Sequence, residues 1–171
     1  MKKAKWVLLA LVAGAAAATL GAGTAASADP GTILKFDSMA PVTGPYVGAA
    51  NPIRGLPGGG LPWMITAGTG VLQRDGHLVV HVRGLVLADQ SPVPPALQGT
   101  NPVPDFQAIV SCQSISTGGG ATVANVSTGP FPASSQGDAD VEATVNLPNP
   151  CIAPIVFVAS PGGAWFAATG G

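Results

Sequence analysis

Apolar and polar side chains alternate with a period of two through several short stretches of this chain, the pattern of strands that bury one face. In DADVEATVNL, residues 138–147, Ala139, Val141, Ala143, Val145 and Leu147 fall on one side. Asp138, Asp140, Glu142, Thr144 and Asn146 fall on the other. In HLVVHVR, Leu78, Val80 and Val82 oppose His77, Val79, His81 and Arg83. Just before it stands Asp75-Gly76, a pair suited to the positive φ of a tight hairpin turn, so 71–74 and 77–83 are expected to pair antiparallel. FQAIVSC sets Phe106, Ala108, Val110 and Cys112 on one face, aiming the cysteine inward. PIVFVAS is apolar on both faces, as a central strand would be, and AWFAATG follows it through Ser160-Pro161-Gly162-Gly163 as the return arm of a hairpin. Weaker strand patterns occupy 32–37, 62–66 and 121–127. No segment after residue 28 shows a helical period. The expected fold is all-β: an antiparallel β-sandwich of Ig-like or Greek-key type, with about seven to nine short strands and one disulfide.

Three parts follow along the chain. Residues 1–28 read as an export signal: Lys2, Lys3 and Lys5, then an apolar run from Trp6 to Leu20, then small residues ending Ala26-Ser27-Ala28. Gly14, Thr19 and many alanines dilute that run, which favours a removable peptide, cut between Ala28 and Asp29, over a retained anchor. Residues 29–61 form an N-terminal extended, Pro/Gly-rich segment. Its 38–61 portion, ending RGLPGGGLP, is expected to be irregular and mobile. Residues 62–171 form the β-sandwich domain, interrupted by a join at 88–105, ADQSPVPPALQGTNPVPD, without strand pattern; joins of this length in compact domains are functional or disordered.

Charge and cysteine content sharpen the setting. Without the leader only Lys35, Arg54, Arg74 and Arg83 remain basic against all 8 acidic residues, a net charge of about −4. Such a surface has no basic stripe to neutralise a run of phosphates, which argues against nucleic acid and against anionic membrane as partners. Cys112 and Cys151 both lie in the exported part, where an oxidising compartment allows them to pair. Their bridge would add about 4 kcal/mol through loop closure, less any strain.

Candidate chemistry is sparse. Asp138, Asp140 and Glu142 stand about 6.7 Å apart along one strand face, so adjacent carboxylates would need loop oxygens to complete a cation site; a solvated face is the simpler reading. If that strand lies beside 77–83, Arg83 and the histidines pair across it. His77 and His81, the only histidines, are about 13 Å apart on an extended strand, too far to share a zinc ion. No GxSxG elbow singles out a nucleophile. The glycine runs at 58–60 and 118–120 lack the lysine of a phosphate loop. Asn125-Val126-Ser127 matches a glycosylation acceptor only weakly. Trp63, Trp165 and Phe166 are expected in the core; a sugar-stacking role would need them exposed together. No catalytic residue, metal ligand or cofactor-binding residue is assigned.

With the leader, DGHLVVHVRGLVL, the inward Cys112 and the closing PCIAPIVFVASPGGAWFAATG, the chain resembles the small secreted proteins of unassigned function common in actinobacteria. The resemblance implies a secreted, β-rich protein and transfers no functional residue. A copper-zinc dismutase-like sandwich has comparable size and one disulfide, but its metal centre needs a cluster of histidines. The expectation is a secreted non-catalytic β-sandwich, a structural or binding module of the cell envelope or extracellular space with a protein or cell-wall ligand. The alternative is a secreted hydrolase or protease inhibitor using the 88–105 loop: an exposed, extended loop held by neighbouring contacts would favour the inhibitor, a pocket joining serine, histidine and acid the enzyme, and a disordered join would weaken both.

Overall fold

The computed structural model describes residues 31–169. The export signal at 1–28 and the Ala28–Asp29 junction lie outside the described residues. In chain order the strands are β1 (Thr32–Phe36), β2 (Ala40–Pro41), β3 (Trp63–Met64), β4 (Ala67–Gln73), β5 (His77–Arg83) and β6 (Val86–Leu87). Then come β7 (Asp105–Ile115), β8 (Ala121–Ser127), β9 (Phe131–Pro132), β10 (Ala139–Thr144), β11 (Ile152–Ala159) and β12 (Trp165–Ala168). The described residues hold no α-helix, only a short 3-10 turn at Gly44–Tyr46.

Two antiparallel sheets carry the structure. One has the order β1-β4-β5-β10, the other β2-β12-β11-β7-β8, with β9 also paired to β7; β3 and β6 form a small separate pair. In the four-stranded sheet the alternation holds as read: Leu78, Val80, Val82 and Val141 are buried, whereas Asp140 and Glu142 are exposed. Asp75 and Gly76 make the turn between β4 and β5. The Asp75 carboxylate accepts the His77 N–H at 3.0 Å, and Gly76 sits at φ +89°. Only glycine fits there, because a Cβ would run into the Val145 carbonyl oxygen, and the Gly76 carbonyl itself accepts the Val145 N–H at 3.0 Å.

The six-stranded sheet is built differently. Val156, Phe157, Val158 and Ala159 of β11 are all buried, as a strand apolar on both faces requires. In β7 burial also extends to both faces, including Gln107, Ile109 and Ser111, which one-sided alternation does not anticipate. Buried residues of both sheets, among them Leu72, Val80, Phe106, Val110 and Val158, belong to a single apolar cluster.

Residues 38–61, expected as irregular and mobile, are tied to this cluster. Met39 and Val42 are buried in it, Ile53 and Leu56 pack against it, and β2 pairs with β12. Backbone bonds join Gly59 N–H to Trp165 O and Trp165 N–H to Pro57 O. With β1 in the four-stranded sheet and β2 in the six-stranded sheet, the 29–61 segment supplies strands to both. The physical reason is its apolar residues, Met39, Val42, Ile53 and Leu56, which outweigh the glycine and proline around them.

The 88–105 join contains no strand before β7, but it is compact. Val93 is buried, and turns close from Gln90 to Val93, Pro94 to Leu97 and Leu97 to Thr100. The buried Asn101 side chain donates to the carbonyls of Val103 and Ser134 and accepts the Val103 N–H. It therefore replaces missing ladder bonds in a segment too irregular to form its own.

Cys112 and Cys151 form a disulfide, at a sequence separation of 39 and with Cα atoms 4.9 Å apart. Cys112 is fully buried, facing inward from β7 as expected. Replacing both cysteines by alanine should lower the melting temperature by roughly 10 °C, the consequence of losing about 4 kcal/mol of loop-closure entropy in a domain of this size. An unchanged thermal transition would show that the bridge contributes nothing. Gly76→Ala should cost about 2–3 kcal/mol in chemical denaturation, from positive φ and the Val145 clash together.

Candidate functional site

The carboxylate row lies where the strand pattern put it, on the wet face of β10 beside β5. The register places Asp140 opposite His81 and Thr144 opposite His77. Arg83 and both histidines do pair across to β10. His81 Nδ1 and Arg83 Nη2 reach the same oxygen, Oδ1 of Asp140, at 2.7 and 2.8 Å, and His77 Nε2 is 3.8 Å from Glu142. Since a carboxylate only accepts, the His81 ring carries its proton on Nδ1. Arg83 also donates to the carbonyls of Val82 and Ala139, and Asp138 accepts the Gly84 N–H at 2.9 Å. Each carboxylate is thus committed to a different partner. Among the described residues no three His, Cys, Asp or Glu side chains converge as a metal site would need.

Hydrogen bonds from His81 first, then Arg83, hold the Asp140 carboxyl below its ordinary value. Folding therefore makes this group a stronger acid, and its contribution is present above the unfolded pKa and lost as pH falls through the folded one. The pair is solvent-exposed, so at neutral pH the effect is small. Thr69 and Asp37 border a shallow hollow of about 330 Å³ beside His81, but among the described residues no hydrogen bond links the Thr69 hydroxyl to the ring.

A second concave region has more structure behind it. Between β1 and the start of β11 lies a cleft of about 460 Å³, walled by Leu34, Phe36, Pro154 and Ile155, with Lys35, Asp37, Ser38, Arg54 and Thr169 supplying polar groups. Two non-glycine residues of the described chain have positive φ, Arg54 at +50° and Ala153 at +46°, and both line this cleft. The Arg54 guanidinium joins them, donating to the Ala153 carbonyl at 2.7 Å and to the Ser111 carbonyl at 3.1 Å. The Arg54 carbonyl in turn accepts the Asn125 side-chain N–H at 3.1 Å. Ala153 lies in a β-bulge, where Ile152 pairs with Gln113 but Ile155 pairs with Ser111, two positions of β7 facing three of β11. The left-handed conformation costs an L-residue about 1–2 kcal/mol, and here one cation fastens both strained positions.

Arg54 and Ala153 were not among the sequence candidates. The only signal at Arg54 is a scarce cation directly before a glycine; nothing in the CIAPI stretch marks Ala153 as left-handed. The aromatic candidates are placed as expected: Trp63, Trp165 and Phe166 are 3%, 3% and 4% exposed, so their rings offer no platform to a sugar. Trp63 stacks on Phe166 with centroids 4.0 Å apart, and Phe106 meets both edge-on.

Comparison with known proteins finds no matching family model, no similar curated protein and no similar solved structure.

Asp140→Asn should leave stability at neutral pH nearly unchanged while flattening the loss of stability as pH falls below the ordinary carboxylate range, read from melting curves on the acid side. An acid-side slope equal to that of the unsubstituted protein would remove Asp140 from the account.

Proposed function

We propose that the protein is a secreted, non-catalytic binding module of the cell envelope or extracellular space, released by cleavage after Ala28. In this reading the two sheets stack as an Ig-like or Greek-key sandwich, and the cleft between β1 and β11 receives a short segment of a protein or cell-wall ligand. One observation carries the proposal: two strained non-glycine residues, drawn from distant parts of the chain, are fastened by a single arginine at the same concave surface. Strain of this kind persists only where the surroundings enforce it, and it gathers at binding sites. The cleft's mixture of apolar wall and a few polar groups suits a small ligand surface. The disulfide fits an oxidising compartment, and among the described residues no helix is long and apolar enough to cross a membrane.

The inhibitor and hydrolase alternatives find less support. The 88–105 join is folded into consecutive turns around buried Val93 and Asn101, the opposite of an extended loop offered to a protease.

Titration with soluble cell-wall glycan fragments and with short peptides, followed by amide chemical shifts, tests the reading. Shifts should cluster at Lys35, Arg54, Ala153 and Thr169. Saturating shifts elsewhere, or none with either ligand class, would overturn it. Ala153→Gly should raise stability by up to about 1 kcal/mol by relieving the left-handed strain, while weakening whatever binding the cleft supports.

A further inference from the structure

The two large sheets have four edges, and they are not treated alike. Edge strand β1 carries the exposed Lys35 and a register shift between Thr32 and Leu34. Edge strand β10 presents Asp140 and Glu142, and β2 is two residues long and ends in proline. These are the devices by which sheet proteins keep edges from pairing with other chains: charge, irregularity, shortness and proline. The fourth edge is β8. Its seven residues, ATVANVS, contain neither charge nor proline, and its register with β7 runs without a shift from Ala121 to Ser127. Further along the same edge β9 ends in Pro132 and follows Pro130, so the protection resumes where β8 stops.

The sheet face beside β8 is also unusually apolar. Ile115, Val123 and Ile152 are 55%, 45% and 52% exposed, three of the six exposed large hydrophobics among the described residues. Gln113 pairs with Val123 on one side and with Ile152 on the other, which puts those two side chains in one row across β11, β7 and β8. Ile115 lies two positions along β7 and shares the face. Three exposed apolar side chains therefore share this face, Val123 at the unprotected edge and Ile115 and Ile152 behind it, with Gln113 between Val123 and Ile152.

We propose that β8 is a self-association edge, at which two copies of this chain pair antiparallel about a two-fold axis through Ala124 and extend the six-stranded sheet into its copy. The inference is independent of the cleft. An open edge is completed by another extended, unpaired strand, and among the described residues the long uncharged strand of that kind is β8, supplied by a second copy. Centring on Ala124 pairs all seven residues, with Thr122 opposite Val126 and Val123 opposite Asn125 of the copy. Val123 then meets its own counterpart diagonally across the axis. Because β8 is uncharged, this juxtaposition brings no like charges together, whereas the same operation at β10 would stack carboxylates. One strand pair and a few apolar side chains make a small interface, so a micromolar dissociation constant is expected.

Sedimentation equilibrium of the disulfide-bonded protein at concentrations up to about 500 µM should show a monomer–dimer equilibrium, and amides of 121–127 should gain exchange protection as concentration rises. V123K and V123E, each changing an exposed side chain, should each be monomeric over that range, since the substitution sets like charges across the axis. Mixing the two in equal amounts should restore the dimer, and V123T should retain it. A protein that stays monomeric throughout the range would overturn the proposal. So would a dimer that V123K and V123E both preserve, a mixture that stays monomeric, or protection gained anywhere but β8. A monomer whose β8 amides are protected only on adding an unrelated extended peptide would assign the edge to a different occupant and overturn it equally.

Discussion

Burial of strand β7 on both faces is the constraint around which the molecule is arranged. Its inward face presents Phe106, Ala108, Val110 and Cys112 to the apolar cluster shared with the four-stranded sheet, while Ile109 and Ser111 on the other face are also shielded. Its edges are bonded to β11 on one side and to β8 and β9 on the other. A strand held this way cannot slip by one residue without exchanging its two faces, so it sets the register of its neighbours. The disulfide reinforces the same strand, fastening Cys112 to the segment that leads into β11.

That rigidity explains how the cleft can hold strain. The bulge at Ala153 is needed because three residues of β11 face two of β7, and the Ser111 carbonyl beside the bulge accepts from Arg54. A charged donor shared between two backbone carbonyls is worth more than a neutral hydrogen bond, enough to offset part of the left-handed cost at Ala153. Arg54 comes from the Pro/Gly-rich segment, which therefore acts as a brace across the six-stranded sheet. The cleft is the space left between this brace and β1.

The outer face of the four-stranded sheet obeys a different rule. Asp140, Glu142, His77, His81 and Arg83 interact across strands, but in water, where such pairs contribute little to stability. Their arrangement answers the question raised by three carboxylates at alternate positions: they keep one edge of the sheet polar. On β8, where no charge interrupts the ladder, the sheet remains open.

Much of this was legible in the chain. Period-two alternation marked β5 and β10 and their faces; Asp75-Gly76 marked the turn joining β4 to β5, and continuous apolarity marked β11 as central. Those features are local, because side-chain direction along a strand depends only on the backbone repeat. The pairing of Cys112 with Cys151 followed from there being two cysteines to join. What lay beyond reach depended on distant residues meeting: the double burial of β7, the packing of 38–61 into the core, and the Arg54–Ala153 contact across 99 positions. Glycine and proline content spoke for a loose segment at 38–61, yet Met39 and Val42 entered the core and Ile53 and Leu56 packed against it, and that burial outweighed the entropy of ordering the chain. Sequence set which faces of β5 and β10 are wet; only the tertiary fold decided which strands lie side by side, since strand partners are chosen by packing between residues far apart along the chain.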